Sequence, residues 1–137
     1  MFKNTKKIYY HDTDCGGVVY YANYLKYFER ARTHYLETHG LSIATLVQEG
    51  TEFRVTRAEL AYRSPATYGE TLVVETTVAA DRRISLTFSH VIRERTSERI
   101  IVEGSATLVA VDTKGKIKRL PPPILEALGL PLVLTSS

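Results

Sequence analysis

The stretch HDTDCGGVVYYANYLKYFERARTHYLETHG, residues 11–40, joins a short polar segment to a long helical pattern. Within it apolar side chains recur at three- and four-residue steps, at Tyr24, Tyr27, Phe28, Ala31, Tyr35 and Leu36. This spacing predicts an amphipathic helix over residues 23–39 that ends at Gly40, a usual helix stop. Two aspartates and two glycines stand directly before the helix, which is more than one helix cap requires.

Beyond Gly50 the pattern changes from helical to extended. Segments rich in Val, Ile and Thr follow one another with short connections, over residues 52–63, 71–80, 83–94 and 99–112. Short connections favour antiparallel neighbours. In the strand over 83–94, His90 falls on the apolar-facing register. We therefore expect it to be a core or interface histidine rather than a ligand.

The remaining elements complete an α+β prediction. A first strand is expected over residues 2–10, a short strand over 116–119, and PPPILEALG indicates a small helix near the end of the chain. An antiparallel sheet needs one face covered, and only the helix over 23–39 is large enough to cover it. The sequence therefore predicts one long central helix wrapped by a curved antiparallel sheet of about five strands.

Composition is that of one globular domain spanning residues 1–137. Hydrophobic residues make up 44% of the chain and charged residues 24%, which is ordinary for a globular protein. The basic N-terminal residues have no apolar stretch behind them, and no run approaches the ~18 apolar residues of a membrane span. We therefore expect a cytoplasmic protein with neither a signal peptide nor membrane insertion.

The chain carries a mild excess of positive charge. Its formal net charge is +3 and its pI is about 9.0, values that favour anionic partners. The basic residues are scattered, apart from three groups: Lys6 and Lys7; Arg82 and Arg83; and Lys114, Lys116, Lys118 and Arg119. Since no run of five or six basic residues occurs, nucleic acid is not expected as a partner.

Of the two carboxylates before the helix, one can serve the structure and the other the chemistry. Either Asp12 or Asp14 could cap the helix, and the other could attack a carbonyl carbon or activate a water beside it. Gly16 and Gly17 let the backbone approach a ligand, and free N–H groups at a helix start can hold an oxygen that gains negative charge. This combination suits acyl transfer to water from a thiol leaving group, which needs no strong general acid.

Two other chemistries fit the segment less well. Cys15 as a nucleophile would need a neighbouring base, and the charge of Asp14 beside it disfavours the thiolate. Residues 11–14 could form part of a metal site, but His34 and His39 are five apart and do not match HExxH. A single cysteine also excludes a cysteine-rich zinc site and an intrachain disulfide. We expect no metal and no cofactor.

Four segments together resemble a known family: YYHDTDCGGVVYYANYLKYFERAR (9–32), RSPATYGETLVVET (63–76), RRISLTFSHVI (82–92) and GSATLVAVDTKGKIKRLP (104–121). They resemble the hot-dog-fold acyl-CoA thioesterases of the 4-hydroxybenzoyl-CoA thioesterase type, and within these the bacterial branch associated with the Tol–Pal envelope system. The resemblance extends over nearly the whole chain, and the pattern D-x-x-G-x-V-x-Y-x-x-Y from Asp14 to Tyr24 is specific.

The resemblance implies a hot-dog fold and hydrolysis of an acyl-CoA to the free acid and CoA. It also implies a homodimer or homotetramer with sites at the subunit interface, and no cofactor. It puts the catalytic carboxylate, as base or nucleophile, at Asp14 and the oxyanion-holding backbone amide at Tyr21. The substrate-binding residues that it implies are Gly16, Gly17 and Val18 in the loop, and Arg82 and Arg83 for the phosphates of CoA.

The chain departs from the branch at Tyr21, where many members have His. A tyrosine is not a base near neutral pH, so the role that carries over is that of the backbone N–H. A hot-dog dehydratase and a non-catalytic acyl-CoA binding or sensing module share the architecture. By resemblance the dehydratases use a His–carboxylate pair in a different loop, and a binding module would have lost Asp14. The sequence does not determine whether the acyl chain of the substrate is short, long or aromatic.

Overall fold

A computed structural model describes residues 2–13, 19 and 23–130 of the chain. Its elements are, in chain order, β1 (Phe2–Lys7), a 3-10 helix (Tyr10–Asp12), α1 (Asn23–Thr38), α2 (Ile43–Gln48), β2 (Glu52–Tyr62), β3 (Thr71–Asp81), β4 (Ser85–Glu94), β5 (Ile100–Val111), β6 (Ile117–Lys118) and α3 (Pro122–Ala127). Within the described residues six strands form one antiparallel sheet in the order β1-β3-β4-β5-β2, and β6 pairs with β5.

The sequence predicted most of these elements but not their number. The helix expected over residues 23–39 is confirmed to within one residue by α1, and the small helix near the end of the chain is α3. The expectation of one long central helix and about five strands is corrected. The described residues hold α1, of 16 residues, with α2 and α3 of six each, and a sheet of six strands. A six-residue helix is too short to show a helical period.

The end of α1 shows why the helix stops where the sequence predicts. Gly40 has φ +79°, a left-handed conformation that favours glycine. Its N–H donates to Glu37 O at 3.0 Å, and the N–H of Leu41 donates to Leu36 O at 2.9 Å. These two bonds form a Schellman motif, which satisfies carbonyls that the helix end leaves without intrahelical donors.

The chain divides into two compact units, each with its own apolar core. The first unit comprises Met1–Arg32, Glu59–Thr77 and Ser89–Ser105. Its core consists of α1 side chains that pack with side chains from the strands and loops, at Ile8, Val19, Tyr24, Tyr27, Phe28, Ala31, Ala66, Leu72, Val74, Ile92, Ile101 and Val102. The apolar face expected from the helical spacing of α1 is therefore the face that packs in this unit.

The second unit comprises Thr33–Ala58, Val78–Phe88 and Ala106–Ser137. Its core combines residues of α1, α2, β4, β5 and α3 with partly buried neighbours; the buried members are Leu36, Leu46, Leu86, Phe88, Ala106, Leu108, Ala110, Leu120, Ile124, Leu125 and Leu128. In neither unit does the described part of the chain contain a helix long and apolar enough to cross a membrane.

His90 is a core histidine, as its register in β4 predicts. It is 1% exposed, and its ring stacks on Phe28 with centroids 4.6 Å apart. Nδ1 lies 3.0 Å from the Thr76 hydroxyl in the neighbouring strand β3. Burial, with a smaller contribution from the charge of Arg32, lowers the pKa of His90 to about 3. The imidazole is therefore neutral at physiological pH.

Candidate active site

The structure describes only some of the residues that are predicted to form the site. Asp14, Gly16, Gly17, Val18 and Tyr21 lie outside the described residues, whereas Arg82 and Arg83 lie within them. The residues that flank the predicted loop are also described. The described geometry is therefore that of the residues on either side of the predicted loop.

Residues 14–18 connect two positions that are fixed against each other. Thr13 and Val19 form an antiparallel bridge, and the Val19 N–H donates to Ala66 O at 2.8 Å. Asn23, the first residue of α1, donates from its side-chain amide to Asp12 O at 3.1 Å. Both ends of the predicted loop are thus tied to each other and to the start of α1.

Asp12 is held by contacts with residues that precede it in the chain. Its Oδ2 accepts from the Tyr9 backbone N–H at 2.9 Å, which closes the 3-10 turn, and lies 3.2 Å from Lys6 Nζ. Both side chains of this ion pair are largely buried, with 19% of Lys6 and 9% of Asp12 exposed. A pair this buried makes removal of one partner costly.

Two tyrosine rings complete the surroundings of the Lys6–Asp12 pair. Lys6 Nζ lies 5.3 Å from the centroid of the Tyr9 ring and 5.7 Å from that of Tyr27, within cation–π range. Burial raises the pKa of Tyr27, and the negative charge of Asp12 raises it further. Tyr27 is therefore a neutral phenol beside a carboxylate.

The connection between β2 and β3, residues 64–70, contacts Val19, which directly follows the predicted loop. Ala66 is fully buried, and its carbonyl accepts from the Val19 N–H at 2.8 Å. The connection is held by Arg99, whose Nη2 donates to both carboxylate oxygens of Glu70, at 3.1 and 3.0 Å. The sequence marks this segment as a turn. The contact between Glu70 and Arg99 cannot be predicted from local sequence, because the two residues are 29 positions apart.

Arg82 and Arg83 occupy the turn between β3 and β4 in the second unit. Their φ angles are +52° and +57°, as at the two central positions of a type I′ hairpin turn, where Asn and Gly are usual. A left-handed non-glycine residue costs about 1–2 kcal/mol. The Arg83 carbonyl accepts from Leu120 N–H at 2.6 Å. Among the described residues, the buried Arg83 Nε has no hydrogen-bond acceptor.

The described side chains offer no group of three or more His, Cys, Asp or Glu that could hold a metal ion. The arrangement around the loop is instead one of backbone ties, one buried ion pair and aromatic rings. Such a frame can hold a carboxylate and a backbone N–H in fixed positions, which is what acyl transfer requires.

The sequence profile of the thioesterase-like superfamily matches residues 9–128. The chain belongs to this superfamily. The match includes the loop, its frame and both arginines of the β3–β4 turn.

Individual members of the superfamily are similar over most of their length. The acyl-CoA thioester hydrolase YbgC of Escherichia coli is 35% identical over 126 residues, 91% of this chain and 93% of that protein. The acyl-CoA thioesterase YbgC of Haemophilus influenzae is 36% identical over 113 residues, 82% of this chain and 81% of that protein. With these relatives, the prediction that the chain is a thioester hydrolase is confirmed.

A solved structure has the same fold. The crystal structure of a 1,4-dihydroxy-2-naphthoyl-CoA thioesterase from Synechocystis matches with a TM-score of 0.88 at 22% identity. The match covers 93% of this chain and 95% of that one. The predicted hot-dog thioesterase fold is thereby confirmed.

Proposed function

We propose that this protein is an acyl-CoA thioesterase that hydrolyses the thioester to a carboxylic acid and CoA, and that residues 1–137 act as a single domain. Asp14 acts as general base toward water or as nucleophile toward the acyl carbon, and the Tyr21 N–H holds the carbonyl oxygen as it gains charge. The carbon–sulfur bond breaks, CoA leaves as a thiolate, and water supplies the oxygen of the acid.

The proposal rests on the contacts that the Asp12 carboxylate makes. The polar segment contains two carboxylates, and that of Asp12 pairs with Lys6 and accepts from the Tyr9 N–H. A carboxylate held by a cation and a backbone donor is a poor base. Asp14, two residues further on, is then the carboxylate that serves the chemistry.

The ties at the edges of the loop support the role of the Tyr21 amide. Val19 and Asn23 lie on either side of residues 20–22; the Val19 N–H donates to Ala66 O, and the Asn23 side chain donates to Asp12 O. The segment leads directly into α1, which begins at Asn23. Backbone N–H groups at a helix start have no intrahelical acceptor, so they can donate to a substrate oxygen.

Substrate binding is proposed for Gly16, Gly17 and Val18 in the loop and for Arg82 and Arg83 in the β3–β4 turn. The turn keeps two arginines in a conformation that glycine adopts at lower cost. The buried Nε of Arg83 is a donor without an acceptor among the described residues. Both features support a requirement for guanidinium groups at this turn, as binding of the CoA phosphates would impose.

We infer further that the enzyme is a cytoplasmic homodimer or homotetramer of the Tol–Pal-associated branch. The assignment to the branch rests on the resemblance of the four segments at residues 9–32, 63–76, 82–92 and 104–121. The oligomer is supported by β2, which lies at one end of the strand order and is exposed along most of its length. An edge strand of this length is usually covered.

The test compares Asp14→Asn with Asp12→Asn over a panel of acyl-CoAs. Asn keeps the size of Asp but is neither a base nor a carboxylate nucleophile, so Asp14→Asn should lower kcat at least ~100-fold at unchanged melting temperature. Asp12→Asn should retain far more activity and lose stability, because Lys6 would stay largely buried without its partner. Near wild-type hydrolysis by Asp14→Asn, or its failure to fold, would contradict the assignment.

A further inference from the structure

We propose that Arg99 and Glu70 are positioning residues for the oxyanion donor. Their ion pair holds residues 64–70, the segment in which the carbonyl of Ala66 accepts from the Val19 N–H, two residues before Tyr21. This inference rests on the proposed function, in which the Tyr21 N–H receives the carbonyl oxygen. We call the contacts between Arg99 and residues 64–70 the Arg99 clamp.

The Arg99 clamp joins both ends of the β2–β3 connection. Nη2 of Arg99 donates to Glu70 Oε1 and Oε2 at 3.1 and 3.0 Å and to Pro65 O at 3.1 Å. Nε donates to Ser64 Oγ at 3.2 Å. One guanidinium therefore bonds to the first two residues and the last residue of the segment.

Glu70 carries the constraint into the segment. Its Oε1 accepts from the backbone N–H of Thr67 at 2.8 Å and from the Thr67 hydroxyl at 2.9 Å. The turn is thus fixed immediately before Ala66 through Pro65 and immediately after it through Thr67. With both neighbours held, the carbonyl of Ala66 has little freedom to move away from Val19.

Ala66 in turn holds Val19, two residues before Tyr21. Its carbonyl accepts from the Val19 N–H at 2.8 Å. Residues 20–22 lead from Val19 to α1, which begins at Asn23. A displacement of residues 64–70 would therefore move the attachment point that directly precedes the segment with the proposed donor.

The Arg99 clamp is better suited to positioning than to stability. About a third of the Arg99 side chain is exposed, and exposed ion pairs stabilise proteins little. A displacement of about 1 Å at a catalytic group, in contrast, can lower a rate about 100-fold. Lysine keeps the positive charge but lacks the planar guanidinium with its several donors. Arg99→Lys therefore removes the set of directed hydrogen bonds and keeps the charge.

The experiment measures kcat and KM of Arg99→Lys and Glu70→Gln on an acyl-CoA and on a short thioester that lacks the nucleotide. Arg63→Lys is the matched control, since Arg63 pairs with Glu103 at 2.9 Å on the surface of the same unit. Both clamp variants should lose about tenfold or more in kcat on both substrates, with KM within about twofold and melting temperature nearly unchanged. The control should match the wild type.

Hydrogen exchange at the Val19 amide provides a second readout that does not depend on activity. Exchange should accelerate in Arg99→Lys and Glu70→Gln and stay unchanged in Arg63→Lys. An unchanged Val19 rate, wild-type kcat in the clamp variants, or a loss confined to KM for acyl-CoA would overturn the positioning role. A wild-type protein that hydrolyses no acyl-CoA would instead overturn the proposed function, and the Val19 rate would still decide whether the clamp holds this segment.

Discussion

At the scale of single residues, burial changes what an ionisable side chain can do. His90 sits between the Phe28 ring and the Thr76 hydroxyl and has the pKa of about 3 that its burial produces. Its alternation with Leu86, Phe88 and Ile92 in β4 is enough to predict a core position. The partner Thr76 is not predictable from local pattern, because it lies 14 residues away in β3.

The low pKa of His90 makes stability depend on pH. An unfolded histidine has a pKa near 6.5, so between pH 6.5 and 3 the unfolded chain binds a proton that the folded chain does not. Stability should therefore fall as the pH falls below about 6.5, and His90 alone should account for about 2 kcal/mol by pH 5.

Urea unfolding of the wild type and of His90→Gln at pH 7 and pH 5 measures this contribution. The variant is less stable at pH 7 because the imidazole packing is lost, but it should lose less stability on acidification. An equal loss in both proteins would show that His90 does not carry the dependence.

At the scale of elements, the length of a pattern decides what the sequence predicts. The 16 residues of α1 and the long strands β3, β4 and β5 repeat their periods often enough to be recognised. The six residues of α2 do not, although Ser42 caps this helix through the Thr45 N–H. The contacts around the predicted loop are likewise not predictable from sequence, because Val19 and Ala66 meet only after the sheet has formed.

The β3–β4 turn carries a prediction for substrate binding. Arg82→Ala or Arg83→Ala should raise KM for acyl-CoA and barely change kcat, since phosphate contacts bind the ground state and the transition state alike. A short thioester without the nucleotide should be hydrolysed as by the wild type.

Arg95→Ala, which removes an exposed arginine from the β4–β5 turn, is the control and should leave both substrates unaffected. Equal losses on both substrates in the Arg82 and Arg83 variants would mean that these side chains support the fold rather than the CoA phosphates.

At the scale of the whole molecule, the open end of the sheet carries the prediction that the chain associates. In the described sheet β2 has β5 as its neighbour at one edge only, and Val55 and Tyr62 on it are about half exposed. An exposed edge strand of 11 residues is a template for pairing with another chain. A second copy of the same strand would satisfy these backbone groups.

Light scattering should therefore find a dimer or tetramer at micromolar concentration. Val55→Lys places a charge on the exposed edge and should weaken association. Ile117→Lys, at an apolar position on β6 that is even more exposed than Val55, should not. A monomeric wild type would contradict both the oligomer and a site at its interface.

The pairing of early with late residues has a consequence for synthesis on the ribosome. Phe2 lies opposite Thr76, Val19 bonds to Ala66, and Glu70 bonds to Arg99. At about 5–20 residues per second, Val19 waits several seconds for Ala66 and for the Arg99 clamp that holds Ala66 in place. The residues proposed to carry the chemistry are therefore translated well before the residues that hold their described neighbours. A nascent chain arrested before Arg99 therefore has the proposed catalytic residues without the clamp that positions them.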